Sequence, residues 1–145
     1  QKFYKYFMKT YFTIFLLVAL NFTTLLSAQV YKFKSTSYAL QKEDELEDFP
    51  KFMEDNSLIV LNIEKRQIRI YGKEELVFDL IAGQKSMKLT NGDTKQEYTG
   101  IDSDGLKCKL TFFTIVAKNS LRNYDRQLYI DYSNARIILN LNLVQ

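Results

Sequence analysis

SLIVLNIEKRQIRIYGKEELVFDLI, Ser57 to Ile81, decides the fold. Within it Ile59, Leu61 and Ile63, then Ile68 and Ile70, then Leu76, Phe78 and Leu80 occupy alternate positions, the two-residue period of strands that bury one face. Glu64-Lys65-Arg66 and the turn at Gly72 leave room for hairpins only, so three consecutive antiparallel strands are expected.

The same period extends in both directions. Upstream, Val30 to Leu40 places Tyr31 and Phe33 on one face and Lys32 and Lys34 on the other. Downstream, Gly83 to Thr94 is rich in turn formers, with Asn91-Gly92-Asp93 as its tightest point, and Gln96 to Asp102 is extended again. Asp102-Ser103-Asp104-Gly105 makes a tight turn into a long strand whose inward face is Leu106, Cys108, Leu110 and Phe112. A loop over Lys118 to Arg126 precedes Leu128, Ile130 and Tyr132, and the Ser133-Asn134 turn leads into Ile137, Leu139, Leu141 and Leu143. About eight strands in a meander predict an all-β domain, a closed or partly closed antiparallel barrel. There is no Gly-rich phosphate loop and no alternation of strand with helix, which disfavours doubly wound folds.

One segment departs from the pattern. Gln41 to Asn56, QKEDELEDFPKFMEDN, gathers seven acids around the chain's single Pro. Leu46, Phe49 and Met53 fall at helical spacing, so two readings stand: a short amphipathic helix across a barrel mouth, or an acidic solvated loop.

Met8 to Ala28, MKTYFTIFLLVALNFTTLLSA, has the basic start, apolar middle and small-residue end of a secretory signal peptide, with cleavage expected after Ala28. Residues 1–28 are thus read as upstream sequence plus export signal and residues 29–145 as one domain. Asn21, Thr23 and Thr24 interrupt the apolar run, so no membrane span is expected after cleavage. The expected location is periplasmic or extracellular. Lys2, Lys5 and Lys9 account for the whole formal charge of +3, which leaves residues 29–145 neutral and gives no basis for nucleic-acid binding.

Composition removes whole mechanisms. With no His, a Ser-His-Asp triad, a Cys-His pair and a His-ligated zinc are impossible. A single Cys supplies neither an intramolecular disulfide nor a thiolate cluster. Cys108 shares its face with Leu106 and Leu110, while Lys107 and Lys109 project the other way, so it reads as packing rather than as a nucleophile. Asp102-Ser103-Asp104-Gly105 has the opening of a calcium loop without its downstream bidentate Glu, and a hairpin turn explains it better. Glycosidase chemistry needs only two carboxylates, and Asp79 and Asp131 are the strand-borne pair, yet both alternate with apolar faces and so point outward. No catalytic residue, metal ligand or cofactor is assigned.

VYKFKSTSYAL directly after an Ala-Gln junction, the turn-strand DSDGLKCKL and the closing hairpin QLYIDYSNARIILNL resemble those of small secreted Gram-negative β-proteins of lipocalin- or calycin-like appearance. The resemblance implies a calycin-like barrel. Unlike true lipocalins, the chain has no Gly-x-Trp motif after its first strand and no Trp at all.

Together these readings predict a non-catalytic binding protein, with a small apolar ligand in the barrel interior among Tyr31, Phe33, Phe78, Phe112 and Ile130. The alternative is a filled barrel that engages another envelope or extracellular protein. It would do so through its acidic segment 43–55 or through an outer face bearing Tyr71, Val77, Ile81, Tyr129, Asp131 and Ile138.

Overall fold

A computed structural model describes residues 29–116 and 121–144. The expected export signal therefore lies outside the described residues, as does part of the Lys118–Arg126 loop. Among the described residues there are ten strands: β1 (Val30–Lys42), β2 (Met53–Glu54), β3 (Leu58–Asn62), β4 (Gln67–Tyr71), β5 (Glu75–Gly83), β6 (Met87–Lys88), β7 (Thr94–Asp102), β8 (Lys107–Thr114), β9 (Arg126–Asp131) and β10 (Ala135–Val144). Eight of them pair in the cyclic order β1-β3-β4-β5-β7-β8-β9-β10, all antiparallel, with β2 added beside β1 and β6 beside β7.

Closure is made by β10 against β1, in a ladder that runs from Lys32↔Val144 to Lys42↔Ala135. A closed ring leaves no long unpaired edge, which is how an all-β chain without disulfides avoids pairing with other chains. Its bore suits eight strands, whose interior side chains are large enough to fill it. They do: Phe33, Ile59, Ile68, Phe78, Leu110, Leu128, Ile130 and Leu141 belong to one contiguous buried cluster. Inward-facing Gly100 makes room within it, since a Cβ there would lie 2.6 Å from Leu110 Cδ1.

β1 is the longest strand and must bend to stay in the ring. It pairs with β3 along Val30–Lys34 and with β2 at Ser37 and Tyr38, and a bulge between Ser35 and Ser37 shifts its register against β10. One extra residue reverses the facing of the remainder of the strand. Phe33 and Ser35 point inward before the bulge; after it Tyr38 packs on the core and Ala39 and Gln41 lie on the outer face.

The acidic segment forms no amphipathic helix. Its only helical residues are the 3-10 turn Glu43–Glu45; Phe49 is 97% exposed, and Met53 is in β2. The reason is local. Buried Gln41 donates from Nε2 to the carbonyls of Glu45 (3.1 Å) and Asp48 (3.0 Å), which stops the turn, and Pro50 disfavours helical backbone at the residue before it. Leu106 also departs from expectation: assigned to the inward face, it is exposed in the turn before β8. The turn-rich stretch after Gly83 contains the short strand β6, and Gly92 (φ 88°) supplies the left-handed residue of its Asn91-Gly92-Asp93 turn.

Candidate functional site

Antiparallel winding gives the barrel two ends. At one end lie the connections 43–57, 72–74, 103–106 and 132–134; at the other lie 63–66, 84–93, 115–116 and 121–125. The first end holds a pocket of about 590 Å³. Tyr38 and Leu40 after the β1 bulge, Ile70 at the end of β4, Leu76 at the start of β5 and Ile137 and Leu139 of β10 form its apolar wall. Glu54 at the end of β2 and Asp55 and Ser57 between β2 and β3, with Lys73 and Glu74 of the β4–β5 turn, form its polar wall.

Local chemistry places that polar wall. Ser57 Oγ donates to Asp55 Oδ1 at 2.8 Å, and the Asp55 N–H donates to the Thr36 carbonyl at 3.2 Å, so the break between β2 and β3 is tied to the bulge of β1. Gly72 lets the facing turn approach, because a Cβ there would stand 2.7 Å from Ser57 Oγ. Asp55 Oδ2 is shielded from solvent and has no hydrogen-bond donor among the described residues. Buried acceptors left unsatisfied are costly and uncommon.

No match to this chain is found among protein-family models, curated proteins or solved structures. The site therefore rests on its own geometry.

The residues expected to line an interior ligand site fall in two places. Phe33, Phe78, Phe112 and Ile130 lie in the packed core, with the Phe33 and Phe112 rings 5.5 Å apart and Tyr98 edge-on to Phe112 at 6.4 Å. Tyr31 keeps the inward parity of Phe33 but sits at the barrel end opposite the 590 Å³ pocket, 43% exposed. None of these five lines that pocket. The pocket's own Glu54 and Asp55 belong to the acidic segment that stands out in the sequence; Tyr38, Leu40 and Leu139 come together only through the bulge.

Asp79 and Asp131 are not brought to one cleft. Asp79 is exposed on β5 and accepts from Gln67 Nε2, Asp131 of β9 is held by Arg136 of β10, and β7 and β8 run between the two acids. Cys108 is buried, with its sulfur 3.7 Å from the Gly100 carbonyl oxygen. Desolvation, with smaller contributions from Asp102 and Asp131, pushes its thiol up to about 11, so it is an unreactive thiol at neutral pH. Among the described residues no group of three or more His, Cys, Asp or Glu is placed to hold a metal, and no helix is long and apolar enough to cross a membrane.

The Asp102 turn accounts for its own acids. Asp102 Oδ1 accepts from the N–H groups of Leu106 (2.8 Å) and Asp104 (3.0 Å), Oδ2 accepts from Tyr132 Oη (3.0 Å), and Gly105 takes φ 82°. The Leu106 N–H is the main cause, with Tyr132 and Asp104 adding to it, that holds the Asp102 carboxyl below its ordinary range. Burial and the Asp102 charge hold the Tyr132 phenol above its own. Asp102's contribution to stability is present above the unfolded carboxylate range, near ~4, and is lost as pH falls through its lowered folded value. Tyr132's contribution is present below the unfolded phenol range, near ~10, and is lost as pH rises through its raised one. Thermal melts across pH are expected to fall off at both extremes. Tyr132→Phe should remove its hydrogen bond at a cost of about 1 kcal/mol and flatten the alkaline arm. An unchanged alkaline arm would locate that loss elsewhere.

Proposed function

We propose that the protein is an exported, non-catalytic binding protein that takes a small apolar ligand at the open end of its barrel. The observation that carries this reading is the 590 Å³ pocket between Tyr38, Leu40, Ile70, Leu76, Ile137 and Leu139, beside a barrel centre already filled by side chains. Its volume falls in the range of small-molecule sites, and its mostly apolar wall beside a few polar groups suits such an occupant.

The test is a titration of the purified protein with the neutral fluorophore N-phenyl-1-naphthylamine. Saturable binding at one site is expected. Leu40 is 54% exposed and lines the pocket, so Leu40→Trp fills the space without touching the core and should weaken binding at least tenfold with an unchanged circular-dichroism spectrum. Phe112→Ala, a core change away from this pocket, should leave the affinity of the folded fraction intact. Absence of saturable binding, or affinity indifferent to Leu40→Trp, overturns the reading. Loss through Phe112→Ala instead would return the ligand to the barrel interior.

A second reading has its own observation. Phe49 is 97% exposed beside Pro50 and flanked by exposed Glu47 and Asp48, an apolar tip in an acidic setting that suits capture of a basic, apolar surface on another envelope or extracellular protein. Phe49→Ser should abolish such capture while leaving fluorophore binding untouched.

A further inference from the structure

The pocket's charge setting narrows its occupant. Its polar wall offers three carboxylates, Glu54, Asp55 and Glu74, against one ammonium, Lys73. Among the ion pairs of the described residues, none joins Lys73 to any of the three. The imbalance continues outward, because Asp and Glu outnumber Lys and Arg in the connections at this end. At the opposite end the balance reverses, with Lys65, Arg66, Lys85, Lys88 and Arg122 against Glu64, Asp93 and Asp125 in the described connections. A formally neutral domain thus has an acidic end and a basic end, and the pocket opens at the acidic one. Such a field draws cations toward the pocket and repels anions.

The second observation is the shielded Asp55 Oδ2, which has no donor among the described residues. Its sister oxygen is held by Ser57 Oγ, so the wall is short of one donor at one defined atom. Asp55 lines the pocket, so an occupant that carries donors lies beside this carboxylate. A protonated amine brings both the missing N–H donors and the compensating charge; a hydroxyl brings a donor alone, and a carboxylate brings neither.

We propose that the ligand is an amphiphile with a protonated amine head, its chain along Tyr38, Ile70, Leu76, Ile137 and Leu139 and its ammonium against Glu54, Asp55 and Glu74. This deepens the pocket reading and rests on it.

The experiment displaces N-phenyl-1-naphthylamine from the purified protein at pH 7 with dodecylamine, dodecan-1-ol or dodecanoate, each below its micelle concentration. Dodecylamine is expected to displace at roughly tenfold lower concentration than dodecan-1-ol, and dodecanoate at the highest concentration. Added salt should weaken the amine and leave the alcohol unchanged. Asp55→Asn, which keeps the shape of the side chain, should erase much of the amine's advantage, and the triple variant Glu54→Gln, Asp55→Asn, Glu74→Gln should erase the rest while dodecan-1-ol binds as before. Equal displacement by amine and alcohol, or an advantage that survives the triple variant, overturns the head-group assignment and leaves the apolar pocket standing. Failure of all three probes, or dodecan-1-ol binding unaffected by Leu40→Trp, overturns the pocket itself and the assignment with it.

Discussion

Phe78→Ala should lower the unfolding free energy by about 3–5 kcal/mol, a large part of the ~5–15 kcal/mol that a domain of this size has. Phe78 is fully buried at the middle of β5, opposite Ile68 of β4 and Asp102 of β7. Removing the ring loses its transfer free energy and opens a void. In a two-layer sandwich the layers can settle toward such a void. Here the strands around it are hydrogen-bonded in a ring, so the bore is set by strand number and tilt, and the hole stays open. The loss should therefore lie near the top of the range for aromatic truncations. Urea unfolding should report it as a lower midpoint with an unchanged slope, and Phe78→Leu, which refills much of the space, should recover more than half. A loss under about 1 kcal/mol would mean that the centre of the barrel is not close-packed.

That packed centre also explains what the sequence disclosed and what it withheld. Ile59, Leu61, Ile68, Ile70, Phe78, Leu80, Leu110, Phe112, Leu128, Ile130, Leu139 and Leu141 take the inward places that alternation assigns them, because a strand's period is local and survives any topology. Closure was legible for the same reason, since so many half-buried strands in a meander need somewhere to end. The bulge was not. Nothing in Ser35-Thr36-Ser37 distinguishes a regular strand from one carrying an extra residue, and the register shift is decided by β10 and β3, far away in sequence. Because the bulge reverses the facing of Tyr38 and Leu40, the pocket they line is invisible to parity counted from Tyr31 and Phe33. The acidic segment stood out by composition. Its conformation did not, because Leu46, Phe49 and Met53 keep helical spacing while Gln41 closes the turn and Pro50 disfavours helix at the residue before it.

The charge separation between the two ends is a product of topology. Acidic 43–48 and basic 84–93 are simply two polar connections until up-and-down winding sends alternate connections to opposite ends. Neutral net charge, read alone, hid an asymmetry that matters for which ligands approach the pocket.

The seam that closes the ring should be nearly as sensitive as its centre. Asn140 of β10 faces away from the bore and is still only 3% exposed. Its Nδ2 donates to Ser37 Oγ of β1 at 2.9 Å, and its Oδ1 accepts from Gln127 Nε2 of β9 at 2.8 Å, so one amide side chain joins three adjacent strands across the closing ladder. Asn140→Ala deletes both bonds and leaves the half-buried Gln127 amide with only its 3.4 Å bond to Tyr124 Oη, a cost of about 2 kcal/mol. Ser37→Ala removes one bond only and should cost about 1 kcal/mol. The double variant should fall short of the sum, because the Asn140–Ser37 bond is counted in both singles. Hydrogen exchange should show the loss first in the β1 and β10 amides that pair at the bulge, with β4 and β5 protected as before. Additive losses, or exchange that rises uniformly around the ring, would mean that closure depends on the backbone ladder alone and that Asn140 is a passive occupant of the seam.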